Sequence, residues 1–122
     1  MIVARASTED PGEGATGLLA TLIASYLPGS DSVAVDYPAT LTDYANSETI
    51  GVNAMRALIE EYVDSCPKSK IVLLGYSQGA HVIGDVLCGA SEVGLDASAP
   101  LSAAYSGNSE YLHNRQLMMR VC

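Results

Sequence analysis

Short apolar runs alternate with longer stretches whose apolar residues recur at helical spacing, and this alternation divides the chain. Ile2 to Ala6 predicts a first strand, followed by a polar loop from Ser7 to Gly14. Ala15 to Leu27 predicts a helix with Leu18, Leu19, Leu22, Ile23 and Tyr26 on its inward face, stopped by Pro28-Gly29. Ser32 to Tyr37 predicts a second strand, closed by Pro38. From Asn46 or Ser47, the residues Ile50, Ala54, Met55, Leu58, Ile59, Tyr62 and Val63 predict the buried face of a long helix ending at Cys66-Pro67. Lys70-Ile71-Val72-Leu73-Leu74 has the unbroken apolar, β-branched character of a buried parallel strand. After it, Ala80, Val82, Ile83, Val86 and Leu87 return to helical spacing. The order β-α-β-α-β-α implies a parallel sheet sandwiched by helices. Past residue 90 the pattern weakens: Ser91 to Gly107 reads as loop, and Tyr111 to Cys122 has no clear strand or helix partner.

Composition narrows this to one globular domain. The chain has 122 residues, 48% of them hydrophobic, enough for a modest core. A net charge of −8, from 6 basic and 14 acidic residues, argues against nucleic acid or an anionic membrane as a partner. The most apolar run, Leu18 to Leu27, is too short to span a bilayer. Met1 leads into Ile2-Val3-Ala4 with no basic segment, so no signal peptide is expected in this chain. The three cysteines, Cys66, Cys88 and Cys122, show no metal-ligand spacing.

The strongest chemical signal sits between the third strand and the third helix. Gly75-Tyr76-Ser77-Gln78-Gly79 places a serine between two glycines at a strand-to-helix turn, the nucleophile elbow of α/β-hydrolases. The turn is sharp, so its flanking positions must be small, and the serine is held in a strained conformation with its hydroxyl exposed. The helix behind it presents free N–H groups and a positive dipole end to a developing oxyanion. In parallel sheets, sites form at the carboxyl ends of strands, where both Ser7 and Ser77 are expected.

A second motif competes. Gly12-Glu13-Gly14-Ala15-Thr16-Gly17 matches G-x-G-x-x-G, with Asp36 at the end of the second strand, as in a dinucleotide-binding fingerprint. Against it, Ser7 to Pro11 separate the glycines from their strand, and Glu9, Asp10 and Glu13 would repel a pyrophosphate. The glycines are equally those of a flexible loop entering a helix.

Five stretches together resemble the cutinase and fungal acetylxylan esterase family of serine esterases. They are Val3-Ala4-Arg5-Ala6-Ser7-Thr8-Glu9, Tyr44-Ala45-Asn46-Ser47, Ser65-Cys66-Pro67, Leu74 to Ala80, and Leu87-Cys88-Gly89. The resemblance implies a small cutinase-like α/β-hydrolase fold in which Ser77 attacks an ester carbonyl and becomes acylated. It implies an oxyanion hole made by the Gln78 backbone N–H and Ser7. Arg5 is expected to pair structurally with a carboxylate. The implied substrate is an acylated polysaccharide or small ester, such as acetylated xylan or a cutin-like polyester. The implied protein is a secreted monomer needing no metal or cofactor, and Cys66 would bond a cysteine preceding Met1.

Such an enzyme needs a histidine base oriented by a carboxylate, both after the serine in chain order. His81, on the elbow helix, reads as a half-buried helix residue. His113 is the one histidine in the right order, with Asp85, Glu92, Asp96 and Glu110 between. Nothing around it resembles the family's segment. Residues 1–108 are therefore expected to form a partial domain lacking the C-terminal strands and helices, with 109–122 as a divergent tail. Two alternatives to an active esterase remain at this point: an inactive family remnant that keeps the fold, and a dinucleotide-binding α/β domain.

Overall fold

The computed structural model describes residues 1–90 and 94–107, and the backbone of 109–111. Four parallel strands form one sheet: β1 (Ile2–Ala4), β2 (Val33–Ala34), β3 (Ile71–Gly75) and β4 (Ser109–Tyr111), in the order β2-β1-β3-β4. Ala4 pairs with Gly75 at the carboxyl ends of the two central strands, which brings the Ser7 loop and the elbow to one edge of the sheet. β4 runs parallel to β3 with Ile71 opposite Ser109. These three residues fall in the segment expected to be a divergent tail, and a three-residue strand is too short to show periodicity.

Alternation along the strands assigns the two faces. Ile2, Ala4, Ile71 and Leu73 point toward α2 (Tyr44–Ser65) and α3 (Gln78–Cys88), where Val52, Met55, Ile59, Val82, Ile83 and Val86 complete the main core. Val3 and Leu74 point to the opposite face, covered by α1 (Gly17–Tyr26), which follows a 3-10 turn at Gly14–Thr16. A short α4 (Ala103–Ser106) packs its Tyr105 on the main core. No helix among the described residues is long and apolar enough to cross a membrane.

The predicted face of α1 is rotated in the folded chain, while that of α2 holds at Met55, Ile59 and Val63 and differs only at its margin. In α1, Leu18, Leu22 and Tyr26 are 78%, 53% and 77% exposed, and the buried contact is Ala20, flanked by Leu19 and Ile23. Ten mostly apolar residues offer more than one stripe. The one carrying small Ala20 lets the helix approach Val3 and Leu74 most closely. In α2, Ile50 and Tyr62 lie at the exposed margin, while polar Ser47 and Glu48 are buried at its first turns. That helix begins at Tyr44, just ahead of the expected start. By contrast, Ala80, Val82, Ile83, Val86 and Leu87 of α3 are all buried as the pattern predicts.

Candidate active site

The site begins with two glycines. A Cβ on Gly75 would lie 2.5 Å from the Gly79 carbonyl oxygen, and one on Gly79 would collide with the carbonyl of Ala4. α3 therefore starts hard against the end of β1, closer than any side chain permits. Between the glycines, Ser77 has φ 53° and ψ −118°, a conformation sparsely populated by L-residues. It is exposed at the head of α3. The next residue, Gln78, is fully buried, and its backbone N–H makes no hydrogen bond to a described residue. An open amide at the first turn of a helix can receive a developing negative charge.

The side chain of Gln78 is held from both ends. Its Oε1 accepts from Ser47 Oγ at 3.1 Å, and its Nε2 donates to the Thr40 carbonyl at 3.1 Å. The backbone N–H of Thr40 donates to Ser47 Oγ at 3.2 Å, which closes the ring. One residue earlier, the Ala39 carbonyl accepts the backbone N–H of Thr8 at 2.7 Å. The loop leading into α2 thus touches both predicted oxyanion segments. Ser7 itself has a buried hydroxyl with no hydrogen-bond partner among the described residues.

Arg5 is structural, though its hydrogen-bond partners among the described residues are carbonyls and not the expected carboxylate. Its guanidinium donates to the carbonyls of Glu9 (3.1 Å), Val35 (3.4 Å) and Tyr37, and it lies 5.1 Å from the centre of the Tyr37 ring. The Tyr37 hydroxyl donates back to the Arg5 carbonyl, and burial pushes its ionisation well above the usual phenol range. Arg5 ties the end of β1 to the chain beyond β2, where carbonyls without a sheet partner need donors.

The glycine-rich segment is filled from within. Glu9 accepts the backbone N–H of Ala6 at 2.6 Å and of Ala15 at 2.8 Å. Its carboxylate thus occupies the amide at the start of the 3-10 turn, where a nucleotide phosphate would have to bind. Asp36 is exposed beyond β2.

His81 is half-buried on α3, with Nδ1 2.7 Å from the Tyr44 hydroxyl and the rings in an edge-on contact. His113, Glu92 and Cys122 lie outside the described residues, as do the side chains of 109–111. Asp85 is buried in α3 facing Glu48, and Asp96 is exposed in the following loop. Burial first, then the neighbouring Asp85, raises the Glu48 carboxyl from 4.5 to about 8. No group of three or more histidine, cysteine or acidic residues placed to hold a metal occurs among the described residues. Cys66 is an exposed free thiol at the end of α2; with Met1 it lines a cavity at the amino ends of the strands, opposite to Ser77.

No sequence motif ties Thr40 or Tyr37 to the site or pairs Glu48 with Asp85; Ser47 enters the pattern as a helix start and, with Tyr44, in the family resemblance. No local pattern marks their contacts, because each acts through a residue more than thirty positions away.

A parallel sheet carrying a strained serine at a strand-to-helix turn defines the class of this fold. The chain belongs to the cutinase family, whose sequence model matches residues 1–120. It is 35% identical over 111 residues to Cutinase 11 of Verticillium dahliae, spanning 83% of this chain and 38% of that protein. It is 36% identical over 110 residues to an acetylxylan esterase of Hypocrea jecorina, spanning 82% of this chain and 36% of that protein. Among solved structures, the catalytic core domain of acetyl xylan esterase from Trichoderma reesei superposes with a TM-score of 0.79 at 34% identity, over 88% of this chain and 57% of that one. The chain thus spans well under half the length of these curated relatives. A cutinase-like protein from Cryptococcus, at 14% identity and a TM-score of 0.61, shares the fold.

Proposed function

We propose that this chain carries the nucleophile and oxyanion portion of a carboxylic ester hydrolase acting on short acyl esters. The observation that carries the reading is Ser77, exposed at φ 53° beside the open backbone N–H of buried Gln78. In the reaction, Ser77 Oγ adds to the ester carbonyl while its proton passes to a base. The tetrahedral oxyanion is held by the Gln78 N–H and the Ser7 hydroxyl, which has no partner among the described residues. Collapse expels the alcohol and leaves an acyl-serine, which water then hydrolyses. Acetylated xylan or a cutin-like polyester is the proposed substrate class, in keeping with the names of the relatives. The same reading proposes a secreted, monomeric, disulfide-bonded protein using no metal or cofactor.

A second reading, a family member that keeps the fold without turnover, is favoured by one observation. The only histidine among the described residues, His81, has Nδ1 engaged by Tyr44. Hydrolysis of p-nitrophenyl acetate and labelling by a fluorophosphonate separate the two. Turnover and labelling that vanish in Ser77→Ala establish the esterase. Neither activity in a folded wild-type chain establishes the second reading.

A further inference from the structure

Two segments supply the proposed oxyanion donors, and they are not neighbours in sequence. Ser7 lies on the loop after β1, and Gln78 opens α3. The loop before α2 contacts both, at adjacent residues. Ala39 receives the Thr8 N–H through its carbonyl, and Thr40 receives the Gln78 Nε2–H through its own. That loop is conformationally unusual: Ala39 and Asp43 both have positive φ, 52° and 56°, without being glycine. Such residues persist only where surrounding contacts over-determine them. The contact available here is Ser47, which is buried on the first turn of α2. Its Oγ accepts from the Thr40 N–H and donates to Gln78 Oε1, so one hydroxyl joins the loop to the oxyanion helix.

We propose that Ser47 is a positioning residue for ester hydrolysis: by locking Ala39-Thr40 between Thr8 and Gln78, it sets the spacing of the two oxyanion donors. The inference rests on the esterase reading above for its kinetic consequence, though not for its geometry. No polar group in the ring is idle: the Gln78 amide uses one oxygen and one N–H, the Ser47 hydroxyl accepts one bond and donates one, and Thr40 contributes both backbone groups. Removing the Ser47 hydroxyl strips two of the three bonds and leaves Gln78 Oε1 buried without that donor, so the first turn of α3 is free to shift against the loop. A small misplacement of oxyanion donors lowers the rate of the chemical step with little effect on ground-state binding.

The test compares wild type, Ser47→Ala and Ser47→Thr. The expected result with p-nitrophenyl acetate is a kcat lowered roughly 10- to 100-fold in Ser47→Ala, KM within about two-fold of wild type, and substantial recovery in Ser47→Thr, which restores the hydroxyl. The second readout needs no turnover: in 15N spectra, the backbone amides of both Thr8 and Gln78 shift in Ser47→Ala and return in Ser47→Thr. If Ser47→Ala does not fold, Ser47→Cys, nearly isosteric with a weak donor, takes its place. A folded variant with unchanged kcat, or with unmoved Thr8 and Gln78 amides, overturns the proposal. So does loss of kcat merely in proportion to loss of folded protein. A wild-type chain without turnover or fluorophosphonate labelling overturns the esterase reading instead, and the amide shifts then decide the positioning role alone.

Discussion

Gly79 presses against the carbonyl of Ala4 so closely that no side chain fits between the elbow helix and the first strand. This contact, with Ala4 paired to Gly75 in the sheet, fixes where Ser77 stands relative to the loop that carries Ser7. Gly79→Ala must displace backbone rather than a flexible side-chain end. The expected loss is roughly 2–4 kcal/mol of stability, read as a lower urea midpoint with an unchanged slope. A variant as stable as wild type would show that α3 is free to move away from β1.

Ser77 holds a backbone conformation that favours glycine. Ser77→Gly and Ser77→Ala both remove the hydroxyl, but only glycine relieves the conformation. Ser77→Gly is expected to be more stable than Ser77→Ala by about 1 kcal/mol, and both abolish fluorophosphonate labelling. Thermal unfolding of the two variants makes the comparison, and equal midpoints would mean that the elbow carries no strain.

Glu48 and Asp85 place two carboxyl groups in the interface between α2 and α3, where burial and mutual repulsion raise Glu48 to about 8. The folded chain therefore holds this proton up to about pH 8, whereas the unfolded chain releases it near the ordinary 4.5. Folding takes up a proton between those values, so this group's effect on stability falls as pH rises through the window and levels off above it. The expected loss is on the order of 2–4 kcal/mol, and Glu48→Gln should flatten the dependence. Urea unfolding at pH 5 and pH 8.5 measures it; parallel curves for wild type and variant would refute the assignment.

Arg5 satisfies three carbonyls and stacks near Tyr37 in a site where it is 3% exposed. Arg5→Lys keeps the charge and loses the planar fork, so it is expected to cost nearly as much as Arg5→Ala, about 2–4 kcal/mol. A lysine variant with the wild-type thermal midpoint would show that charge alone matters here.

The elbow was legible in the sequence because everything it needs is local: an apolar strand, small flanking residues and a helical pattern immediately after. The strand–helix order and the buried face of α3 followed from periodicity for the same reason. The buried face of α1 keeps only Leu19 and Ile23 of the expected stripe, because its sequence offers several apolar stripes and the fit of Ala20 over Val3 and Leu74 selects one. Arg5 was expected to meet a carboxylate, but its partners are backbone carbonyls, which carry no sequence signature.

By itself the sequence determined a parallel α/β chain with Ser77 at a strand-to-helix turn, since short-range sterics and periodicity dictate both. Only the tertiary structure decided what surrounds that serine. The closure of Gly79 on Ala4, the ring through Thr40, Ser47 and Gln78, the engagement of His81 by Tyr44, and the burial of Glu48 against Asp85 join distant segments. Such contacts arise when the sheet and its covering helices close together, and their energies depend on exclusion of water that no short stretch of sequence encodes.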